Sequence, residues 1–159
     1  MGRTKNAKDY FAALQRLADS MDPMGPPPNR SQESWDALPT IEERVQMILG
    51  IANNKQRKST NMLFFVMYDI ESNKVRRYIV KYLEKKGCTR IQKSIFLADL
   101  PMEKYQDIRN DLTQVQAAYD NEDSILVVPI TTDYLKAMKV IGQNVNMDII
   151  THTRNTLFF

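Results

Sequence analysis

The sequence predicts an α+β fold for the C-terminal two thirds of the chain, and three observations lead to this prediction. Apolar runs typical of buried strands alternate there with segments whose apolar residues recur at helical spacing. The first of these helical segments is preceded by a serine and followed by a glycine, which are common start and stop residues of a helix. The 159 residues are 43% hydrophobic, which is enough for one packed domain with an appendage.

Five segments from residue 62 onward define the alternation. The apolar run MLFFVMYDI indicates a buried strand, and the helix after it is bounded by Ser72 and Gly87. A second helix tolerates Pro101 in its first turn, where the missing N–H of proline has no intrahelical partner to lose. The predicted order is a strand at 62–70, a helix at 72–87, a strand at 89–98, a helix at 99–119 and a strand at 123–130.

The end of the chain adds a short helical segment at 133–142 and two brief extended pieces at 147–151 and 156–159. The whole order is close to the βαββαβ pattern of a ferredoxin-like split βαβ unit. In such a unit two helices pack on one face of an antiparallel sheet, and the other face is left over. Because a bare apolar face would be a liability in a domain of this size, we expect a two-fold homodimer through it.

Residues 1–61 are predicted to form a helical extension that is separate from the domain at 62–159. A proline-rich linker at 21–32 divides the extension, since this composition excludes both a helix and a central strand. In the second helical segment Thr40 and Glu43 have the spacing of a capping box. Its apolar stripe would either dock on the domain or on a partner, or serve only to cover the sheet. The remaining alternative is that the extension is largely a disordered tail. The stripe consists of Ile41, Val45, Ile48, Leu49 and Ala52.

Composition excludes several classes of protein. A net charge of +3 argues against a polycation that binds nucleic acid over its whole surface, so a binding surface would be a local patch. One cysteine and one histidine allow neither an intrachain disulfide nor a zinc site. The sequence shows neither a membrane-length apolar run nor a secretory signal, so we expect a soluble, cytoplasmic protein.

Basic residues are concentrated in the first predicted helix of the domain and just after it. Residues 74–93 contain eight bases and one acid, whereas residues 94–159 contain nine acids and five bases. On a helical wheel, Lys74, Arg77, Lys81 and Lys85 lie on one arc beside the apolar arc. This arc is either an ordinary solvated helix face or a surface that follows a phosphate backbone.

Asp69 lies at the end of the first predicted strand, directly before the basic helix. An acid at this position often caps the next helix, although Ser72 is placed to do the same. The alternative is a metal ligand, because magnesium is commonly held by one or two carboxylates together with water and substrate phosphates. A symmetric dimer would bring two copies of Asp69 to one site, where a metal would polarise a phosphodiester or activate water.

The motifs MYDI, NKVRRYIVKYLEKKGCTRIQKSIF, DSILVVPI and TLFF together resemble the CRISPR-associated Cas2 family, over residues 62–159. The resemblance implies a ferredoxin-like homodimer that bridges two dimers of the Cas1 integrase and binds double-stranded protospacer DNA during spacer acquisition. It also implies that a C-terminal strand passes to the partner subunit, which would place Leu157, Phe158 and Phe159 at the dimer interface.

The resemblance further assigns roles to individual residues. The acid at the end of the family's first strand corresponds to Asp69, which in some members is described as part of a Mg²⁺-dependent endonuclease for RNA or DNA. Arg76 and Arg77, and with them Lys74 and Lys81, correspond to nucleic-acid-binding residues. We therefore expect a scaffold with nuclease activity as a secondary role. A stand-alone ribonuclease resembling the virulence-associated protein D toxins, and a dimeric interaction module without nucleic acid, are the alternatives.

Overall fold

The computed structural model describes residues 37–118, 122–142 and 145–148, together with Ala12 and Gln15. The proline-rich linker and the predicted interface residues Leu157, Phe158 and Phe159 lie outside the described residues. Within the described ranges, no helix has the length and apolar composition needed to cross a bilayer.

Four strands form one antiparallel sheet with the order β2-β3-β1-β4, and four helices surround it. A separate two-stranded sheet follows them. In chain order the elements are α1 (Ile41–Ala52), β1 (Asn61–Asp69), α2 (Asn73–Lys86), β2 (Thr89–Gln92), β3 (Ile95–Pro101), α3 (Met102–Ala117), β4 (Ser124–Pro129), α4 (Thr132–Ala137), β5 (Lys139–Gly142) and β6 (Val145–Asp148).

The predicted α+β class is confirmed. From β1 to β4 the chain runs β-α-β-β-α-β, and the two central strands, β1 and β3, are antiparallel neighbours. This connectivity is compatible with the ferredoxin-like split βαβ unit. It places the C-terminal end of β1 beside the N-terminal end of β4, because Asp69 pairs with Ser124. Helix α2 begins at this same end of the sheet.

The prediction of a single strand at 89–98 is wrong, because the segment is a hairpin of β2 and β3. Lys93 and Ser94 form its turn, and the Lys93 carbonyl accepts three hydrogen bonds there. Arg90 donates from Nε at 3.2 Å and from Nη2 at 2.7 Å, and the Tyr68 hydroxyl donates at 3.1 Å. The turn therefore depends on a tyrosine of β1, which a local sequence pattern does not reveal.

Two helix boundaries also differ from prediction. The helix predicted from residue 99 begins at Met102, since Asp99 and Pro101 still pair with β1 and Pro101 is the N-cap residue. The helix predicted for 133–142 ends at Ala137, and a strand begins at Lys139. The β-branched pair Val140 and Ile141 favours a strand at that point.

One face of the sheet packs against α2 and α3. The rings of Phe64 and Tyr105 meet edge to face with centroids 4.8 Å apart. The Tyr82 hydroxyl on α2 donates a hydrogen bond to Asp111 on α3 and so joins the two helices. Burial, followed by this contact with the carboxylate, raises the pKa of Tyr82, which keeps the hydroxyl protonated as the donor.

The other face of the sheet is covered by α1 and α4. Thr40 and Glu43 form the predicted capping box, with the Thr40 N–H 2.8 Å from Glu43 Oε2 and the Glu43 N–H 3.2 Å from Thr40 Oγ1. The apolar stripe of α1 then enters one core cluster with the sheet. The buried members of this cluster are Val45, Ile48, Leu49, Ala52, Leu63, Ile91, Leu97 and Leu135.

This packing corrects the expectation of a bare sheet face. The structure packs the second helical segment on the sheet, which fits both docking on the domain and covering the sheet. The homodimer stays a prediction, without the support that a wholly bare face would have given it. One end of the face remains open as an apolar groove of about 440 Å³, lined by Phe65, Met67 and Ile95 among others.

Cys88 lies immediately after Gly87 and packs into the core with 5% of its surface exposed. Burial raises the pKa of its thiol to about 12. Because the thiolate is the reactive form, we expect Cys88 of the folded protein to resist alkylation by iodoacetamide at mildly alkaline pH. Mass spectrometry should show rapid alkylation only after denaturation. Rapid alkylation of the folded protein would contradict this burial, and the chain has no second cysteine to confuse the result.

Candidate nucleic-acid interface

Helix α2 carries the basic residues that the sequence singles out. Ser72 caps its N-terminus, with Oγ accepting from the Val75 N–H at 3.4 Å, and Gly87 ends it in the left-handed conformation with φ 95°. A Cβ added at Gly87 would lie 3.4 Å from Leu100 Cδ2 in addition to adopting an unfavourable φ. These caps fix the length and rotation of α2, so its basic side chains are presented from a rigid element. The apolar face of α2 is buried through Val75, Ile79, Val80, Tyr82 and Leu83.

Three of the predicted binding residues line one shallow groove, which we call the α2 groove. It is formed by Lys74, Arg77 and Lys81, with Asn73 and Tyr78 between them. Lys74 and Lys81 are exposed and Arg77 is half-buried. Three cations, an amide and an aromatic ring along about two helical turns match what a nucleic-acid backbone offers, since phosphates attract the cations and a base or sugar can pack on the ring.

Arg76 is separated from this groove. Its guanidinium donates from Nη2 to Asn73 Oδ1, and its side chain is half-buried. Arg76 is not among the residues that line the α2 groove. Its role in nucleic-acid binding stays a prediction, and the structure distinguishes it from Arg77 although the two are adjacent in sequence.

Arg90, which adds to the high basic count of residues 74–93, belongs to the interior of the protein. Only 8% of its surface is exposed, its guanidinium donates to the Lys93 carbonyl, and its Cζ lies 6.0 Å from the centroid of the Phe96 ring. Arg90 therefore stabilises the β2–β3 hairpin. The charge count of the sequence overstates the cations available to a partner in this region.

Asp69 is the last residue of β1 and is exposed. It does not cap α2, because Ser72 provides the cap. The carboxylate that orders the connection from β1 to α2 is Asp123, whose Oδ1 accepts from the Glu71 N–H at 3.0 Å. The capping role considered for Asp69 is thus filled by Ser72 and Asp123 together, which leaves the Asp69 carboxylate at the surface.

The chemistry of Asp69 is that of a single carboxylate. Among the described residues, no group of three or more histidine, cysteine, aspartate or glutamate side chains is arranged to hold a metal ion. An exposed carboxylate fits magnesium, which is commonly bound through one or two carboxylates with the rest of its shell from water and substrate phosphates. It does not fit a metal that requires a full set of protein ligands.

A comparison with protein-family models finds a match over the part of the chain that contains α2 and Asp69. Residues 62–138 match the family model described as CRISPR associated protein Cas2. The match is consistent with a Cas2 family segment over these residues, which we call the Cas2 segment. The matched segment runs from the second residue of β1 to the residue after α4, so it contains nearly the whole four-stranded sheet, α2 and the α2 groove. A comparison with curated proteins gives no significant match.

The Cas2 match supports a CRISPR-associated function and confirms the predicted resemblance over residues 62–138. Helix α1, which precedes the match, and residues 139–159, which follow it, lie outside the matched range. The assignments of Asp69, Lys74, Arg76, Arg77 and Lys81 stay predictions.

Proposed function

We propose that the protein is a CRISPR adaptation protein that acts as a dimeric scaffold. It binds double-stranded protospacer DNA and bridges two dimers of the Cas1 integrase while a new spacer is acquired. The observation that carries this proposal is the α2 groove, a row of cations on a rigid helix within the Cas2 segment. A scaffold needs such a positioned phosphate-binding surface, because phosphate contacts fix the register and orientation of a duplex on a protein.

Homodimerisation is part of the proposal. The apolar groove that α1 leaves open is the support for it, since Met67 lines this groove and its cross-strand neighbour Leu126 is 57% exposed on the edge strand β4. An exposed edge strand with an apolar side chain favours pairing with a further strand. We propose that Leu157, Phe158 and Phe159 of a second copy contribute to this contact.

Magnesium is the cofactor that we propose for Asp69. Its carboxylate at the end of β1 would hold the ion, and the bound ion would polarise a phosphodiester or activate a water molecule. Two copies of Asp69 near a two-fold axis would supply a pair of carboxylates. Any cleavage of nucleic acid by such a site would be a secondary activity of the scaffold.

We expect Asp69→Asn to integrate spacers at the rate of the unmodified protein when the cognate Cas1 integrase is present. The reason is that the integrase carries out the reaction in the proposed assembly, whereas Asp69 serves only a Mg²⁺-dependent side activity. The measurement is in vitro integration of a labelled protospacer, with cleavage of DNA and RNA by the protein alone measured in parallel.

Glu71→Gln is the matched control, because it removes one negative charge from an exposed residue two positions away. A pure scaffold would be contradicted if Asp69→Asn lost integration while it still dimerised and bound DNA, and while Glu71→Gln integrated normally. That result would make the Asp69 carboxylate essential. The ribonuclease alternative would be favoured by a different result. In that case the unmodified protein alone would cleave RNA, Asp69→Asn would not, and neither protein would support integration.

A further inference from the structure

The loop between α1 and β1, residues 53–60, is fastened to the sheet. Arg57 Nε forms an ion pair with Asp99 Oδ1 at 2.9 Å, and Arg57 Nη2 donates to the carbonyl of Asn61 at 2.9 Å. The Arg57 and Asp99 side chains are only 25% and 11% exposed, so this ion pair is partly shielded from solvent. The loop therefore has a defined position, although it precedes the Cas2 segment and is not part of the family match.

A second groove, of about 390 Å³, runs between this loop and the turn from α2 to β2. We call it the loop groove. The loop contributes Gln56, Arg57 and Lys58 to its lining, and the turn contributes Gly87 and Thr89. Since Gly87 has no side chain, a ligand can approach the backbone at the end of α2 closely.

The loop groove is positively charged. Asp99 is the one acid in its lining, and Arg57 neutralises it, so Lys58 gives the lining a net positive charge. Lys55 in the same loop is exposed and lines an adjoining groove, which shares Gly50 and Asn54 with the loop groove. Residues 53–61 contain no acid. Lys85, directly before the turn at the end of α2, is also exposed. Backbone phosphates are therefore better partners for this groove than cationic or apolar ligands.

The α2 groove leads toward the loop groove. Lys74, Arg77, Lys81 and Lys85 follow one another at spacings of three or four residues, so they form a row along one side of the helix. The 14 residues of α2 give this helix a length of about 20 Å. The row ends within one turn of Gly87, where the loop groove begins.

We propose that Lys55 and Lys58 are phosphate contacts that continue the cationic row of α2 onto the N-terminal extension, and that their ligand is the backbone of double-stranded nucleic acid. The inference rests on the proposed function, since it extends the binding surface assigned to α2. One strand of a duplex carries a phosphate about every 3.4 Å along the axis, so α2 alone spans about six phosphates. The loop would reach the phosphates beyond them, and the bound duplex would be longer than the Cas2 segment alone can hold.

The test compares Lys55→Ala/Lys58→Ala with the unmodified full chain. Binding of a duplex DNA of random sequence is measured by fluorescence anisotropy at several salt concentrations between about 50 and about 200 mM. Each lost phosphate contact should reduce the slope of log K against log[salt] by about 0.9, so the double variant should lose about 1.8 per chain. The matched control is Lys104→Ala/Arg109→Ala, which removes two charges from exposed residues of α3.

The outcomes separate this inference from the proposed function. A shallower slope in the loop variant, with the control unchanged, supports the inference. A loop variant that matches the control, while the unmodified protein binds duplex with a steep slope, overturns the inference and leaves the α2 groove standing. A salt-independent interaction of the unmodified protein with DNA would overturn both. The loop variant should melt at a midpoint similar to that of the unmodified protein, because Lys55 and Lys58 are exposed and make no core contact.

Discussion

Val45→Asp is expected to lower the free energy of unfolding by at least about 3 kcal/mol, because it places an unpaired carboxylate among apolar side chains. Val45 is fully buried in α1 and belongs to the core cluster that joins α1 to the sheet. Domains of ordinary size are stable by about 5–15 kcal/mol, so this change would remove a large part of the total. Urea denaturation followed by circular dichroism measures it.

Met47→Asp is the matched control for Val45→Asp. It introduces the same residue into the same helix two positions away, and it loses more helix propensity than Val45→Asp does, because methionine is a better helix former than valine. Met47 is 39% exposed, so its carboxylate would remain solvated and the effect should stay within about 1 kcal/mol. If the two variants were equally stable, α1 would not be docked on the sheet in solution.

This pair of variants also tests where the folded unit begins. Sequence patterns place a boundary between residues 61 and 62, and the Cas2 match begins at Met62. The described structure nevertheless has one core cluster that includes both Val45 of α1 and Leu97 of β3. A chain that began at Met62 would expose the sheet face that α1 covers. We expect the packed unit of this protein to include α1 for that reason.

Local patterns were sufficient for the features that depend on neighbouring residues. The capping box of Thr40 and Glu43 and the stop at Gly87 rest on short-range backbone and side-chain preferences, and the structure confirms both. The stripe of α1 indicated that the helix needed an apolar surface. It did not indicate which surface, because the sheet face becomes available only after distant strands have paired.

Two of the differences from prediction involve contacts between residues far apart in sequence. The β2–β3 turn depends on Tyr68 reaching the Lys93 carbonyl, so the local pattern of the segment predicts one strand. The connection after Asp69 is ordered by Asp123, which lies 52 residues beyond its partner Glu71. Arg90 looked like a surface cation because charge alone does not reveal that a guanidinium can be buried over a phenylalanine ring. The sequence signal for the hairpin is an arginine, Arg90, and an aromatic residue, Phe96, on either side of the two-residue turn.

The α2 groove gives the prediction with the largest expected effect on binding. Replacing Lys74, Arg77 and Lys81 together with alanine should reduce the slope of log K against log[salt] for duplex DNA by about 2.7 per chain, since three phosphate contacts are removed at about 0.9 each. In a two-fold dimer the reduction would be about 5.4. Affinity should fall most at low salt, where the released counterions contribute most to binding. Titration of a labelled duplex at several salt concentrations measures both quantities.

Two variants make this result specific to the groove. Lys104→Ala/Arg109→Ala/Lys136→Ala removes three charges from α3 and α4, and it should change affinity through the overall field of the protein without the loss of slope. Arg76→Ala tests the adjacent arginine, which bonds to Asn73 and does not line the groove. A slope that falls equally in the groove variant and the three-charge control would show that net charge, and not the α2 groove, binds the duplex. A fall of about 0.9 in the slope for Arg76→Ala, the value expected for one lost phosphate contact, would extend the binding surface around α2 and show that Arg76 leaves Asn73 to meet the phosphate.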